Sequence, residues 1–96
     1  MAELLDDDRI QKALEHLPHW RRVGDSITRE AKLASFPQAI QVVNRVAEIA
    51  ESENHHPDID IRWRTVHFTL STHSAGGLTE KDVSLAGEID NAIESM

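Results

Sequence analysis

Apolar positions change period several times along this chain, and each change marks an element. Between Leu4 and Leu17, Ile10, Ala13, Leu14 and Leu17 recur at helical spacing, with Asp6, Asp7 and Asp8 at the start, where the helix macrodipole favours anions. Pro18 ends this predicted helix. From Trp20 the period shortens to two. Residues 20–23 and 26–33 flank Gly24-Asp25, and Ile27, Arg29, Ala31 and Leu33 alternate with Thr28, Glu30 and Lys32, which predicts a β-hairpin opened by a core or interface Trp20. Ser35-Phe36-Pro37-Gln38 then combines an N-cap serine, a capping-box glutamine and a proline in the first turn. Behind it Phe36, Ala39, Ile40, Val43, Val46, Ala47 and Ala50 form one apolar stripe, widened by Val42 and Ile49. A helix this apolar, holding three valines of low helix propensity, requires packing on two sides: a sheet with a neighbouring helix, or a sheet with a second subunit.

The second half opens on a break, Asn54-His55-His56-Pro57. Proline disfavours the α region for the residue before it, so the helix is expected to stop near Asn54 or His55 and the two imidazoles to diverge. Ile59, Ile61 and Trp63 alternate with Asp58, Asp60 and Arg62, predicting a third strand. Val66, Phe68, Leu70 and Thr72 alternate with Thr65, His67, Thr69, Ser71 and His73, predicting a fourth that carries His67 and His73 on its polar face. His67 reads as a solvated or interface side chain; His73 stands at the strand end, before Ser74-Ala75-Gly76-Gly77, where it can sit at the rim of a pocket lined by backbone amides. Thr79 and Asp82 form another cap signal, opening a helix whose Val83, Ala86, Ile89 and Ile93 face inward. The order of helix, hairpin, helix, hairpin, helix predicts an α+β fold, a four-stranded antiparallel sheet with helices packed on one face.

Composition narrows the function classes. Ninety-six residues are expected to form a single domain, 1–96, small enough that a subunit interface would help it bury surface. With 10 Lys and Arg against 17 Asp and Glu, the formal charge of −7 disfavours direct nucleic-acid binding. The chain has no cysteine, which removes disulfides and thiolate chemistry. No apolar run approaches the roughly 20 residues of a membrane span, so a cytoplasmic location with no membrane partner is the expectation. Neither an HExxH pattern nor a cysteine set supports a metal, and adjacent histidines share a metal poorly, so neither metal nor cofactor is assigned.

Four of the six histidines lie between Glu51 and Asp82. Imidazole changes charge near neutral pH and suits proton transfer. Glu51, three residues, His55-His56-Pro57, five residues, Trp63, nine residues, His73 and then Asp82 resembles the signature of the pterin-4a-carbinolamine dehydratase family, and the flanks FPQAIQVVNRVAEIAESENHHPDI and VHFTLSTHSAGGLTEKDVSLAGEID extend the resemblance over most of the chain.

The resemblance implies four strands with helices on one side and homodimers or homotetramers built through sheet edges and helices. It implies a lyase that dehydrates 4a-hydroxytetrahydrobiopterin to quinonoid dihydropterin, so recycling the cofactor of aromatic amino acid hydroxylases, its metabolic partners. Carried over by position, His55, His56 and His73 would be the acid/base set. Glu51 would orient an imidazole or hold a pterin ring group, and backbone groups from His55 to Pro57 and from Thr72 through Ser74 to Ala75 would hold the pterin. Asp82 would combine helix capping with support of a histidine. Two positions depart from relatives: Asn54 where some carry an acid, and Ile59 where some place an aromatic. The competing reading is a non-catalytic pterin-binding or dimerisation module of the same fold, acting as a transcription coactivator.

Overall fold

The computed structural model describes residues 3–96; the first two residues of the expected 1–96 domain lie outside it. Its elements run α1 (Asp7–Glu15), β1 (Arg21–Val23), β2 (Ser26–Lys32), α2 (Phe36–Glu53), β3 (Asp58–Arg62), β4 (Thr65–Leu70) and α3 (Glu80–Glu94), with a single 3₁₀ turn at His73–Ala75. The four strands form one antiparallel sheet in the order β1-β2-β4-β3. This is the α+β architecture expected from the order of periodicities, with the two hairpins pairing through β2 and β4.

Pairing Ile27 with Leu70, Arg29 with Phe68 and Ala31 with Val66 puts these residues on one face of the sheet, and all six are buried. They meet Ala39, Val42 and Val46 of α2 and Leu85, Ala86 and Ile89 of α3 in one core. The opposite face carries Thr28, Glu30, Lys32, Thr65, His67 and Thr69. There His67 is half-buried, with its Nδ1 3.6 Å from Glu30. One charged residue breaks the apolar face. Arg29 is 8% exposed, and its guanidinium pairs with Asp90 of α3, which also accepts a 2.8 Å bond from the Trp20 indole. A buried charge is tolerable only when paired in this way.

Several boundaries differ from the sequence pattern. The first helix starts at Asp7 rather than near Leu4, because the Asp6 side chain accepts from Arg9 N at 2.9 Å and serves as its N-cap. In α2, Ser35 caps as expected, but Gln38 Oε1 accepts from Ala34 N, one residue before the cap. The buried line of α2 is Ala39, Val42, Val46 and Ala50, whereas Phe36 and Ala47, placed on the inward stripe by spacing alone, are exposed. Periodicity fixed which residues share a side of this helix and left open which side meets the sheet. Leu85 and Ala92 belong to the buried side of α3 together with Ala86 and Ile89.

Trp63 is not a strand residue. Arg62 pairs with Thr65, so Trp63 and Arg64 form a two-residue connection, and Trp63 takes a left-handed φ of 55° with 71% of its surface exposed. Closing so tight a hairpin requires positive φ, and here a tryptophan supplies it, its ring covered by the Arg64 guanidinium at 4.8 Å. Strand β4 likewise ends at Leu70, earlier than the alternation suggested, and His73 begins the 3₁₀ turn instead of closing a strand.

Candidate active site

Two chain breaks build the site. At the C-terminus of α2, Asn54 adopts the left-handed conformation, φ 51° and ψ 42°, and its N–H bonds back to Ala50 and Glu51. Asparagine tolerates this conformation better than most residues. The helix therefore stops before the histidine pair through a left-handed cap, and Pro57 keeps it from resuming. His55 N still reaches the Ala50 carbonyl at 3.0 Å, which holds His55 against the helix end.

The second break follows β4. Thr72 bridges Gly77, its N–H donating to the Gly77 carbonyl at 2.9 Å, while its carbonyl accepts from Ala75 N and Gly76 N, each at 3.0 Å. Gly76 closes this loop with φ 77°, a conformation glycine adopts without strain. The loop is thus cinched at its base and projects His73 and Ser74 outward, both exposed.

The two breaks meet around an open cleft of about 330 Å³ lined by Asn54, His55, His56, Ser71, Thr72, His73, Ser74 and Lys81. That volume suits a small ligand, toward the lower end of the roughly 300–1,000 Å³ common for such sites. The three histidines singled out in the sequence share this cleft with Thr72 and Ser74. Glu51, Pro57, Ala75 and Asp82 stand outside its lining. The Ala75 N–H is already engaged by the Thr72 carbonyl, so of the two Ala75 backbone groups only its own carbonyl remains for a ligand. Trp63 belongs to the opposite end of β4 and is no wall of this cleft.

The three imidazoles are held to different degrees. His55 is 9% exposed, and its Nε2 lies 2.6 Å from Oδ1 of Asp82, which is fully buried. Because a carboxylate only accepts, the His55 proton in this bond resides on Nε2. The other oxygen of Asp82 accepts from Thr72 Oγ1 at 2.7 Å and from Thr79 N at 2.9 Å. Asp82 therefore caps α3 in a capping box and anchors His55 with the same carboxylate. His56 diverges toward solvent, as its position before proline requires, and its Nε2 meets Glu51 Oε2 at 2.8 Å with both side chains largely exposed. Glu51 is thus a partner of His56, not of His55. His73 is exposed and has no side-chain hydrogen bond among the described residues.

Sequence reasoning gave Ser71 and Lys81 no place at the site, and Thr79 only that of a helix cap. Lys81 is exposed in the first turn of α3, beside the Asp82 that anchors His55, and belongs to the cleft lining. Its only sequence signal was its position next to that aspartate. Among the described residues no group of three or more His, Asp or Glu side chains is placed to hold a metal ion, and no helix is long and apolar enough to cross a membrane.

Residues 3–92 match the family model described as pterin 4 alpha carbinolamine dehydratase. A Nocardia farcinica protein provisionally named pterin-4-alpha-carbinolamine dehydratase is 64% identical over 89 residues, covering 93% of this chain and 94% of the relative. A Roseiflexus castenholzii protein with the same provisional name is 54% identical over 93 residues, covering 97% and 100%. Among solved structures, a Brucella melitensis protein described as a transcriptional coactivator/pterin dehydratase superposes with a TM-score of 0.92 at 31% identity, covering 95% of this chain and 99% of that one. A pterin dehydratase-like protein identified as a RuBisCO assembly factor in the alpha-carboxysome shares the fold alone, with a TM-score of 0.67 at 22% identity over 77% of this chain and 88% of that one. A family-model match over residues 3–92, together with relatives more than 50% identical over nearly the whole length, makes this chain a member of the pterin-4a-carbinolamine dehydratase family.

Proposed function

We propose that the chain is a lyase that converts 4a-hydroxytetrahydrobiopterin, the pterin-4a-carbinolamine, to quinonoid dihydropterin and water, with His55, His56 and His73 as its acid/base residues. The observation that carries this reading is the convergence of three imidazoles on one cleft in a member of this family. Dehydration needs a proton delivered to the C4a hydroxyl as the carbon–oxygen bond breaks, and a proton withdrawn from the ring nitrogen as the new carbon–nitrogen double bond forms. The two transfers balance, with no change in oxidation state and no further co-reactant. Each positioned proton transfer typically contributes about 10²–10⁴-fold. Glu51 orients His56, Asp82 supports His55, and Thr72 and Ser74 border the place of the flat ring, with Pro57 and Ala75 holding the two chain breaks just outside it. Such an activity would serve an aromatic amino acid hydroxylase by returning its pterin.

Dehydration followed by absorbance on enzymatically generated 4a-hydroxytetrahydropterin, between pH 6 and 9, tests the reading. Acceleration well above the protein-free rate is the expected result. A folded protein that leaves the spontaneous rate unchanged would overturn it and leave a binding role.

A second reading has one specific support, the coactivator half of the Brucella structure's description. On this chain, α2 exposes Phe36, at 47%, and Ala47 outside its buried line, with Ile40 half-buried beside them. An apolar helix side of this kind suits a second copy or a partner helix, and the proposed homodimer or homotetramer would cover it. Phe36→Asp is expected to lower the native mass measured by light scattering by at least one assembly step while the melting temperature of the dilute protein stays within a few degrees. An unchanged mass would place the subunit contact elsewhere.

A further inference from the structure

Beneath the cleft, one set of buried hydroxyls has no part in the mechanism above. Thr72 and Thr79 are 3% and 1% exposed, and their Oγ1 atoms lie 2.7 Å apart. Which oxygen donates is decided by the neighbours. Thr72 has a single hydroxyl proton, and it goes to Asp82 Oδ2 at 2.7 Å. The Thr72–Thr79 bond must then be donated by Thr79. Thr79 Oγ1 in turn accepts from Lys81 N at 3.2 Å. The result is a chain with one direction: Lys81 N–H to Thr79, Thr79 to Thr72, Thr72 to Asp82, with His55 Nε2–H donating to the other oxygen of the same carboxylate.

We infer that Thr79 is a positioning residue for the proposed dehydration, acting on His55 through Thr72 and Asp82 so that His55 exchanges protons with a ligand only at Nδ1. Capping α3 requires only an acceptor at this position, which Ser, Thr, Asp or Asn supplies. Donating to Thr72 requires a hydroxyl, so the residue does more than cap. Its donation occupies a lone pair of Thr72 and turns that hydroxyl's single proton toward Asp82, and bonds linked in series strengthen one another in a buried site. Asp82 receives in this way three donors across two oxygens and cannot rotate without orphaning one. The Nε2–H tautomer of neutral His55 follows, and Nδ1, which has no hydrogen bond among the described residues, is the nitrogen left for the cleft.

This inference rests on the acid/base reading of His55, and its test separates the two. In Thr79→Val, kcat is expected to fall about tenfold with KM changed less than twofold, in line with losses seen when the partners that orient a functional histidine are removed. At the same time the ¹³Cδ2 and ¹⁵N resonances of His55 are expected to move from the Nε2–H tautomer toward a mixture. Thr79→Ser, which keeps the hydroxyl, is expected to restore both. Thr72→Val breaks the middle link while leaving the α3 cap in place, so the His55 resonances are expected to shift there too, even if loss of the cap unfolds Thr79→Val. Unmoved His55 resonances in whichever of these variants folds would overturn the inference. A tautomer shift in a protein whose wild type does not dehydrate the carbinolamine would uphold the chain of hydroxyls and overturn the reaction.

Discussion

Asp82→Asn is expected to reduce turnover by about 10²–10⁴-fold while costing the fold about 1–3 kcal/mol. The reasoning starts from the donors around the side chain. Thr79 N is a backbone donor with no alternative, and Thr72 Oγ1 donates to the same oxygen. An asparagine must therefore keep its carbonyl on that side and turn its amide toward His55. His55 Nε2, 2.6 Å away in the native arrangement, then faces a donor and has to give up its proton. The ring survives in the other tautomer, with Nδ1 carrying hydrogen where the native site presents a lone pair. An aspartate-to-asparagine change that forces the wrong histidine tautomer costs a serine-protease triad about 10⁴ in kcat, which sets the upper end of the range. Asp82→Ala differs in kind. It orphans three donors in a site with no exposure, and about 3–5 kcal/mol of stability is expected to go with it. At about 4–8 °C per kcal/mol for a chain of this size, thermal unfolding separates the two variants clearly. An Asp82→Asn protein with full turnover would show that His55 needs no fixed tautomer.

The parts of the fold legible in the residues are those with local causes. Thr79 and Asp82 announced a capping box, Ser35 an N-cap and His56-Pro57 a helix stop, because each depends on atoms within a few residues. Two-residue alternation was enough to pair Ile27, Arg29 and Ala31 with one face of the sheet, the buried arginine included. What failed depended on distant partners. Phe36 and Ala47 share a helix side with apolar residues, but the packing of α3 and β4 on α2 settled that the Ala39–Val42–Val46 line meets the core. Trp63 matched the alternation of β3, yet the Arg62–Thr65 pairing required a turn there. The site divides the same way. The histidine spacing marked which imidazoles gather, whereas the depth of His55 arises from a bond to a residue 27 positions on. Thr79 looked like a helix cap and nothing else, since its hydroxyl's second bond reaches back seven residues across the loop.

That division predicts opposite behaviour for the exposed histidines. His73→Ala and His56→Ala are each expected to lower turnover by about 10²–10⁴-fold, the usual worth of a positioned acid or base, with stability changed by no more than about 0.5 kcal/mol. His73 is exposed on the 3₁₀ turn, whose shape comes from the bridge of Thr72 to Gly77 and the left-handed Gly76, so truncating the side chain removes nothing that holds the loop. His56 has a single ion-pair partner, Glu51, with side-chain exposures of 58% and 81%, and exposed pairs of this kind stabilise by about 0–1 kcal/mol. Glu51→Gln is accordingly expected to act through His56, lowering turnover less than His56→Ala does. His67→Ala is the control: on the outer face of the sheet beside Glu30, away from the cleft lining, it is expected to keep wild-type turnover. Turnover, melting temperature and urea midpoint measured on the same preparations decide the matter. If His73→Ala or His56→Ala unfolds, that imidazole is structural and leaves the acid/base set; if either folds and turns over normally, proton transfer in this cleft falls to the remaining two histidines.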